Sequence, residues 1–134
     1  IIIASSNTWQ PWRCLADIIN TDIYARLKDK IKIFMIYINE AHATDVWPIG
    51  LSAGVLNKKH KTIEDRNKCA QEMIKEHNLD FTIYLDSMNN NVEEELSCWP
   101  FKVFIIKDKK FEYISKPKNA EYDIMEIYDF ISTI

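Results

Sequence analysis

A glutamate and a histidine two positions apart, Glu40 and His42, follow directly on the apolar run of residues 31–38. Side chains leaving the carboxyl end of a buried strand stand where α/β proteins build their sites, and a carboxylate beside an imidazole makes a general acid/base pair. The same two groups also serve as a hydrogen-bonded brace for their own loop, and both readings stand. His60, inside the run Lys58-Lys59-His60-Lys61, is either an exposed loop side chain or a ligand or proton-relay group. His42, His60 and His77 lack the spacing of a three- or four-ligand metal site, so no metal is expected. Gly50 and Gly54 are the only glycines and neither belongs to a Gly-rich phosphate loop, which removes nucleotide cofactors and leaves no cofactor implied.

A chain of 134 residues, 47% apolar and 28% charged, fits one ordinary domain over residues 1–134. Its net charge of −3 offers no basic face for nucleic acid. The lysine run at 58–61 reads as a solvated loop ahead of a helix. Cys14, Cys69 and Cys98 are odd in number, so one must stay unpaired, and a reducing compartment such as the cytoplasm is the simpler setting. No membrane span or signal peptide is visible. The chain opens on Ile1-Ile2-Ile3 without a methionine, which reads as a segment of a longer protein and leaves an upstream anchor open.

These side chains need a scaffold, and the hydrophobic periods supply one. Residues 1–5 and 31–38 read as buried strands, the second covered on both faces. Between them Pro11 suits a first helical turn, and Leu15, Ile18, Ile19, Ile23 and Leu27 recur at helical spacing, with Cys14 read as a core thiol. Strand, helix, strand implies a parallel pair. Thr62 caps a helix running to about His77 with Ile63, Asn67, Ala70 and Ile74 on one side. Residues 81–85 form a strand, 92–96 a short helix, 102–107 and 110–115 a hairpin turning at Asp108-Lys109, and 120–131 an amphipathic helix.

The stretch Tyr37-Ile38-Asn39-Glu40-Ala41-His42-Ala43-Thr44-Asp45-Val46-Trp47 resembles the Tyr-Ile-acidic-Glu-Ala-His-x-Ser/Thr-Asp-Gly-Trp segment of the iodothyronine deiodinases. His60 with Asp65-Arg66, Leu85-Asp86-Ser87-Met88-Asn89-Asn90, and Trp99-Pro100 before Val103-Phe104-Ile105-Ile106 resemble three further segments of that family. The resemblance implies an α/β, thioredoxin-like fold, a central mixed sheet flanked by helices. It also implies a peroxiredoxin- or deiodinase-type α-β insertion at about residues 40–86 and a cis-proline at Pro100. It carries Glu40 and His42 over as catalytic equivalents, and His60, Pro100 and Lys102, the last in place of an arginine, as binding positions. Thr8 and Pro11 set the register of the first loop, which puts Trp9 at the selenocysteine, Asn7 at a nearby cysteine and Trp12 where thioredoxins carry a second cysteine. Asn39 replaces a carboxylate and Val46 a glycine.

Thiolate or selenolate chemistry needs Cys or Sec at a helix N-terminus, and an indole offers no such nucleophile. The chain therefore resembles a pseudoenzyme: a catalytically degenerate deiodinase-like domain acting as a binding or assembly module. Trp9, Trp12 and Trp99 are expected to converge on the former cleft, where they either plug it or present an aromatic platform to a protein or small-molecule partner. The alternative is a thiol-disulfide oxidoreductase using Cys98, two residues before Pro100, or Cys14. Reductive dehalogenation of the deiodinase type ranks last. Self-association into an oligomer is compatible with either.

Overall fold

The computed structural model describes residues 1–119 and 121–134. Five strands form one mixed sheet in the order β3-β2-β1-β4-β5: β1 (Ile2–Ser5), β2 (Phe34–Tyr37), β3 (Thr82–Leu85), β4 (Lys102–Lys107) and β5 (Lys110–Ile114). β1 pairs parallel with β2 and β2 parallel with β3, while β4 runs antiparallel to both β1 and β5. This is the mixed α/β sheet of a thioredoxin-like fold.

Period two along the strands sorts side chains between two unequal cores. On β1, Ile3 enters the larger cluster and its neighbour Ala4 the smaller. The larger cluster packs Met35 and Val103 beneath α1 (Gln10–Ile18), α3 (Ile63–His77) and α5 (Ile124–Ser132), whose Leu15, Met73 and Ile127 are buried. The smaller one, Ala4, Ile38, Cys98 and Phe104, has α4 (Asn91–Leu96) beside it among the described residues, through the partly buried Leu96. Full coverage of β2 on both faces is thus corrected: Phe34 and Ile36 are only partly buried, and on the same face Tyr84 and Phe111 stay 55% and 52% exposed.

The first helix changes pitch partway. α1 passes into a π-helical stretch, Ile19–Tyr24, before α2 (Ala25–Leu27). In a regular α-helix each step of four residues overshoots the turn by about 40°, so Leu15, Ile19, Ile23 and Leu27 would spiral off the core. A wider π turn rotates the stripe back, and all four are buried. Cys14 is flung to the flank of this stripe and is exposed, which corrects its reading as a core thiol. Trp12, three residues before Leu15, goes inward.

α3 starts as its sequence dictates. Thr62 Oγ1 accepts from Asp65 N at 3.1 Å, Asp65 Oδ2 accepts from Thr62 N, and Asn78 closes the far end in the left-handed region. Its inward face differs from expectation. Arg66, Ala70 and Met73 are buried, whereas Ile63 is 39% exposed and Asn67 lies outside. The hairpin turns at Asp108 and Lys109, both at positive φ (50° and 63°), the twist a two-residue turn requires. The last helix starts at Ile124, capped by Asp123, and its expected beginning at Ala120 lies outside the described residues.

Candidate functional site

The loop leaving β1 and the loop leaving β2 meet at one carboxylate. Glu40 Oε2 accepts from Thr8 Oγ1 at 2.7 Å and from Thr8 N at 3.3 Å. Its Oε1 accepts from His60 Nε2 and Asn57 Nδ2, each at 3.1 Å, and from the Tyr37 hydroxyl. Thr8 Oγ1 in turn accepts from His42 N at 3.1 Å, and Ser6 Oγ from Ala41 N at 3.1 Å, so the two loops are laced together. Burial opposes the Glu40 charge more than any single bond favours it. The combined hydrogen bonds from His60, Tyr37 and Thr8 prevail, and the carboxyl sits below its ordinary value. Burial, followed by the neighbouring Glu40 charge, drives the Tyr37 hydroxyl well above its own.

Behind His60 stands Arg66, fully buried, with each of its five N–H groups matched. Nε donates to His60 Nδ1 at 3.1 Å, Nη1 to the carbonyls of Asp86 and Ser87, and Nη2 to Asn39 Oδ1 and Asn90 Oδ1. An imidazole that accepts at Nδ1 must carry its proton on Nε2, so Arg66 sets the tautomer that donates to Glu40. The relay Arg66–His60–Glu40–Thr8 therefore converges on the Glu40 carboxylate, with Arg66 and His60 donating from one side and Thr8, beside residue 9, from the other. His60 belongs to this interior, 3% exposed.

Glu40 and His42 diverge: among the described residues no hydrogen bond joins their side chains, and Thr8 links them. The His42 ring lies between two indoles, stacked on Trp9 (centroids 5.5 Å, planes 21° apart) and tilted against Trp47 at 4.4 Å. Trp47 leads on to Trp99 at 6.5 Å. Trp9 caps α1 with an extended backbone, and its Nε1–H is buried without a partner among the described residues. Together with His42, Pro11, Ile49 and Tyr122 it lines a cavity of about 360 Å³.

The remaining nominated residues are dispersed. Trp12 leaves the cleft altogether: it is fully buried in the main core, donating Nε1 to Met73 Sδ at 3.1 Å, which corrects its place among the converging tryptophans. Trp99, 43% exposed, lines a separate cavity of about 190 Å³. The Trp99–Pro100 peptide is cis. Lys102 Nζ donates to Ser97 O at 2.7 Å, at the end of α4. Cys98 is fully buried, and burial pushes its thiol up to about 11.

Arg66, Tyr37, Asn57 and Ser6 are site residues that the sequence reading does not single out. The helical stripe Arg66, Ala70, Met73 was the available signal for the first of them. Glu40, His60 and Cys69 also bring three metal-type donor atoms within 4.8 Å of one another. They make a poor cation site, since both His60 nitrogens are committed and burial holds the Cys69 thiol up at about 12.

The family model for iodothyronine deiodinase matches residues 19–133. Type I iodothyronine deiodinase of Xenopus laevis is 30% identical over 82 residues, 61% of this chain and 31% of that protein. Type II iodothyronine deiodinase of Homo sapiens is 30% identical over 99 residues, 69% of this chain and 36% of the relative. Thyroxine 5-deiodinase of Sparus aurata is 25% identical over 109 residues, 81% and 40%. The chain thus spans between about a third and two fifths of the length of these curated relatives. With the family model matching residues 19–133, most of its length and including Glu40, His42, His60 and Arg66, this chain belongs to the iodothyronine deiodinase family.

Proposed function

We propose that this chain is a deiodinase-family domain that has lost its reactive atom and works as a binding module, taking an aromatic ligand in the cavity beside Trp9, His42 and Tyr122. The observation that carries this is the indole of Trp9. It stands at the amino end of α1, next to the Thr8 end of the relay, where thiolate chemistry needs sulfur or selenium. Stacking on His42 makes Trp9 part of a wall and not a free side chain, as an aromatic anchor for a planar ligand requires.

Thyroxine, which the name of the Sparus aurata relative contains, is the probe. Native chain is incubated with thyroxine and dithiothreitol, iodide release is followed, and binding is measured separately by equilibrium dialysis. Saturable binding without iodide release, weakened at least tenfold by Trp9→Ala or His42→Ala, is the expected result. Iodide release by the native chain would overturn the degenerate reading, and absence of binding would overturn the aromatic-ligand half. Two other readings each have one observation in their favour: thiol-disulfide exchange has the exposed Cys14, and reductive dehalogenation has the intact Thr8–Glu40–His60 relay.

A further inference from the structure

On the far side of His60 the protein opens into a second cavity, of about 410 Å³, whose wall includes Lys58, Lys59, Lys61 and Lys68. The lysines come from two elements, three from the loop before α3 and one from its second turn, so the chain's path and not a mere charge run gathers them. Asp65 and Glu72 are the acidic residues lining it, and four lysines against two carboxylates leave a formal +2 in a protein whose net charge is −3. Asp65 is further occupied, its Oδ2 accepting from Lys61 N at 2.9 Å and Thr62 N at 3.1 Å. Asp45, which accepts from Lys59 N at 2.8 Å, borders the rim, and the buried Glu40 carboxylate lies behind His60, so the excess positive charge belongs to the lysine-lined wall itself. Among the described residues none of the four ammonium groups forms an ion pair.

We propose that this cavity binds a small multivalent oxyanion of the phosphate or phosphate-monoester class. Cations lining a concavity focus potential more than the same charges on a convex surface. Lysine supplies point charges on flexible stems that close around phosphate oxygens. The volume falls within the range of small-molecule sites. A divalent cation is the wrong occupant, because the lysines repel it and the donors at the floor are committed. His60 forms part of the wall while donating to Glu40, so the occupant would lie against a member of the buried relay.

The test is calorimetric titration of the full chain at low ionic strength with inorganic pyrophosphate and, separately, with glycerol phosphate. Saturable binding at one site is expected, weakening as potassium chloride is raised. Lys61→Gln/Lys68→Gln should lose at least tenfold in affinity, while Lys107→Gln/Lys110→Gln, on the β4–β5 hairpin, keeps it. Competition by sulfate on the native chain supplies a reading that depends on no variant. Tighter binding of the ester assigns the site to an organic phosphate, and tighter binding of pyrophosphate to a free inorganic anion. No saturable heat at millimolar pyrophosphate, or equal loss in the hairpin control, would overturn the site.

Discussion

Arg66 shows how one side chain can hold a site it does not line. Its five donors are spent on five acceptors, and removing them strands the buried His60 Nδ1 and Asp86 carbonyl and frees the part-buried Ser87 carbonyl and the Asn39 and Asn90 amide oxygens. Arg66→Met is expected to cost about 3–5 kcal/mol, read as a drop in urea midpoint, and Arg66→Lys should recover little because an ammonium lacks the planar fork. Glu40 brings acid sensitivity. Its folded pKa lies below the ordinary 4.5, so its contribution is complete above that value and is lost as pH falls through the lower, folded one. Thermal midpoints measured from neutral pH down into that window should converge for the native chain and Glu40→Gln, the variant starting lower at neutral pH. Parallel curves would show that Glu40 is not the group responsible. For the thiols, alkylation of the folded chain at neutral pH should modify Cys14 alone and all three after denaturation, since burial holds Cys69 and Cys98 at about 12 and about 11. Labelling of folded Cys98 below pH 9 would revive the redox reading.

At the scale of elements, local chemistry was legible wherever it acts over a few residues. Thr62 and Asp65 announce the start of α3, Pro11 the start of α1, and alternation together with the Asp108-Lys109 turn the terminal hairpin. The turn is also a weak point. Two non-glycine residues at positive φ each carry a steric penalty, so Asp108→Asn/Lys109→Gly should stabilise the protein by about 1 kcal/mol, seen as a raised melting temperature. An unchanged or lowered value would mean that the hairpin tolerates these residues without strain. What could not be read was which way a face points when the reason is non-local. The inward face of α3 was misjudged because arginine is ordinarily an outside residue, and its acceptors come from separate stretches at 39, 60, 86–87 and 90. Cys14 and Trp12 were exchanged for a simpler cause: set against Leu15, helical spacing alone sends Trp12 inward and Cys14 to the flank.

For the whole molecule, two cores of unequal size share one sheet, and alternate residues of β1 belong to each. Neither can melt without exposing the other, so urea unfolding should be a single transition, with Cys98 labelling and loss of circular dichroism sharing one midpoint. Labelling at lower urea would show that the smaller core opens alone. Among the described residues no helix is long and apolar enough to cross a membrane. The site as a whole was half legible: Glu40, His42, Trp9 and His60 were nominated, yet their division into a polar interior and an aromatic wall depends on Thr8 standing between the two loops, which no spacing announces. The distribution of indoles also gives the protein an optical signature. Trp12, sealed against a methionine sulfur, should emit at short wavelength, and the half-exposed Trp47 and Trp99 at long wavelength. Trp9 and Trp47 both pack on the His42 ring. The red edge of the spectrum therefore reports on the cleft and the blue edge on the fold, so events at the cleft can be followed separately from unfolding without attaching any dye.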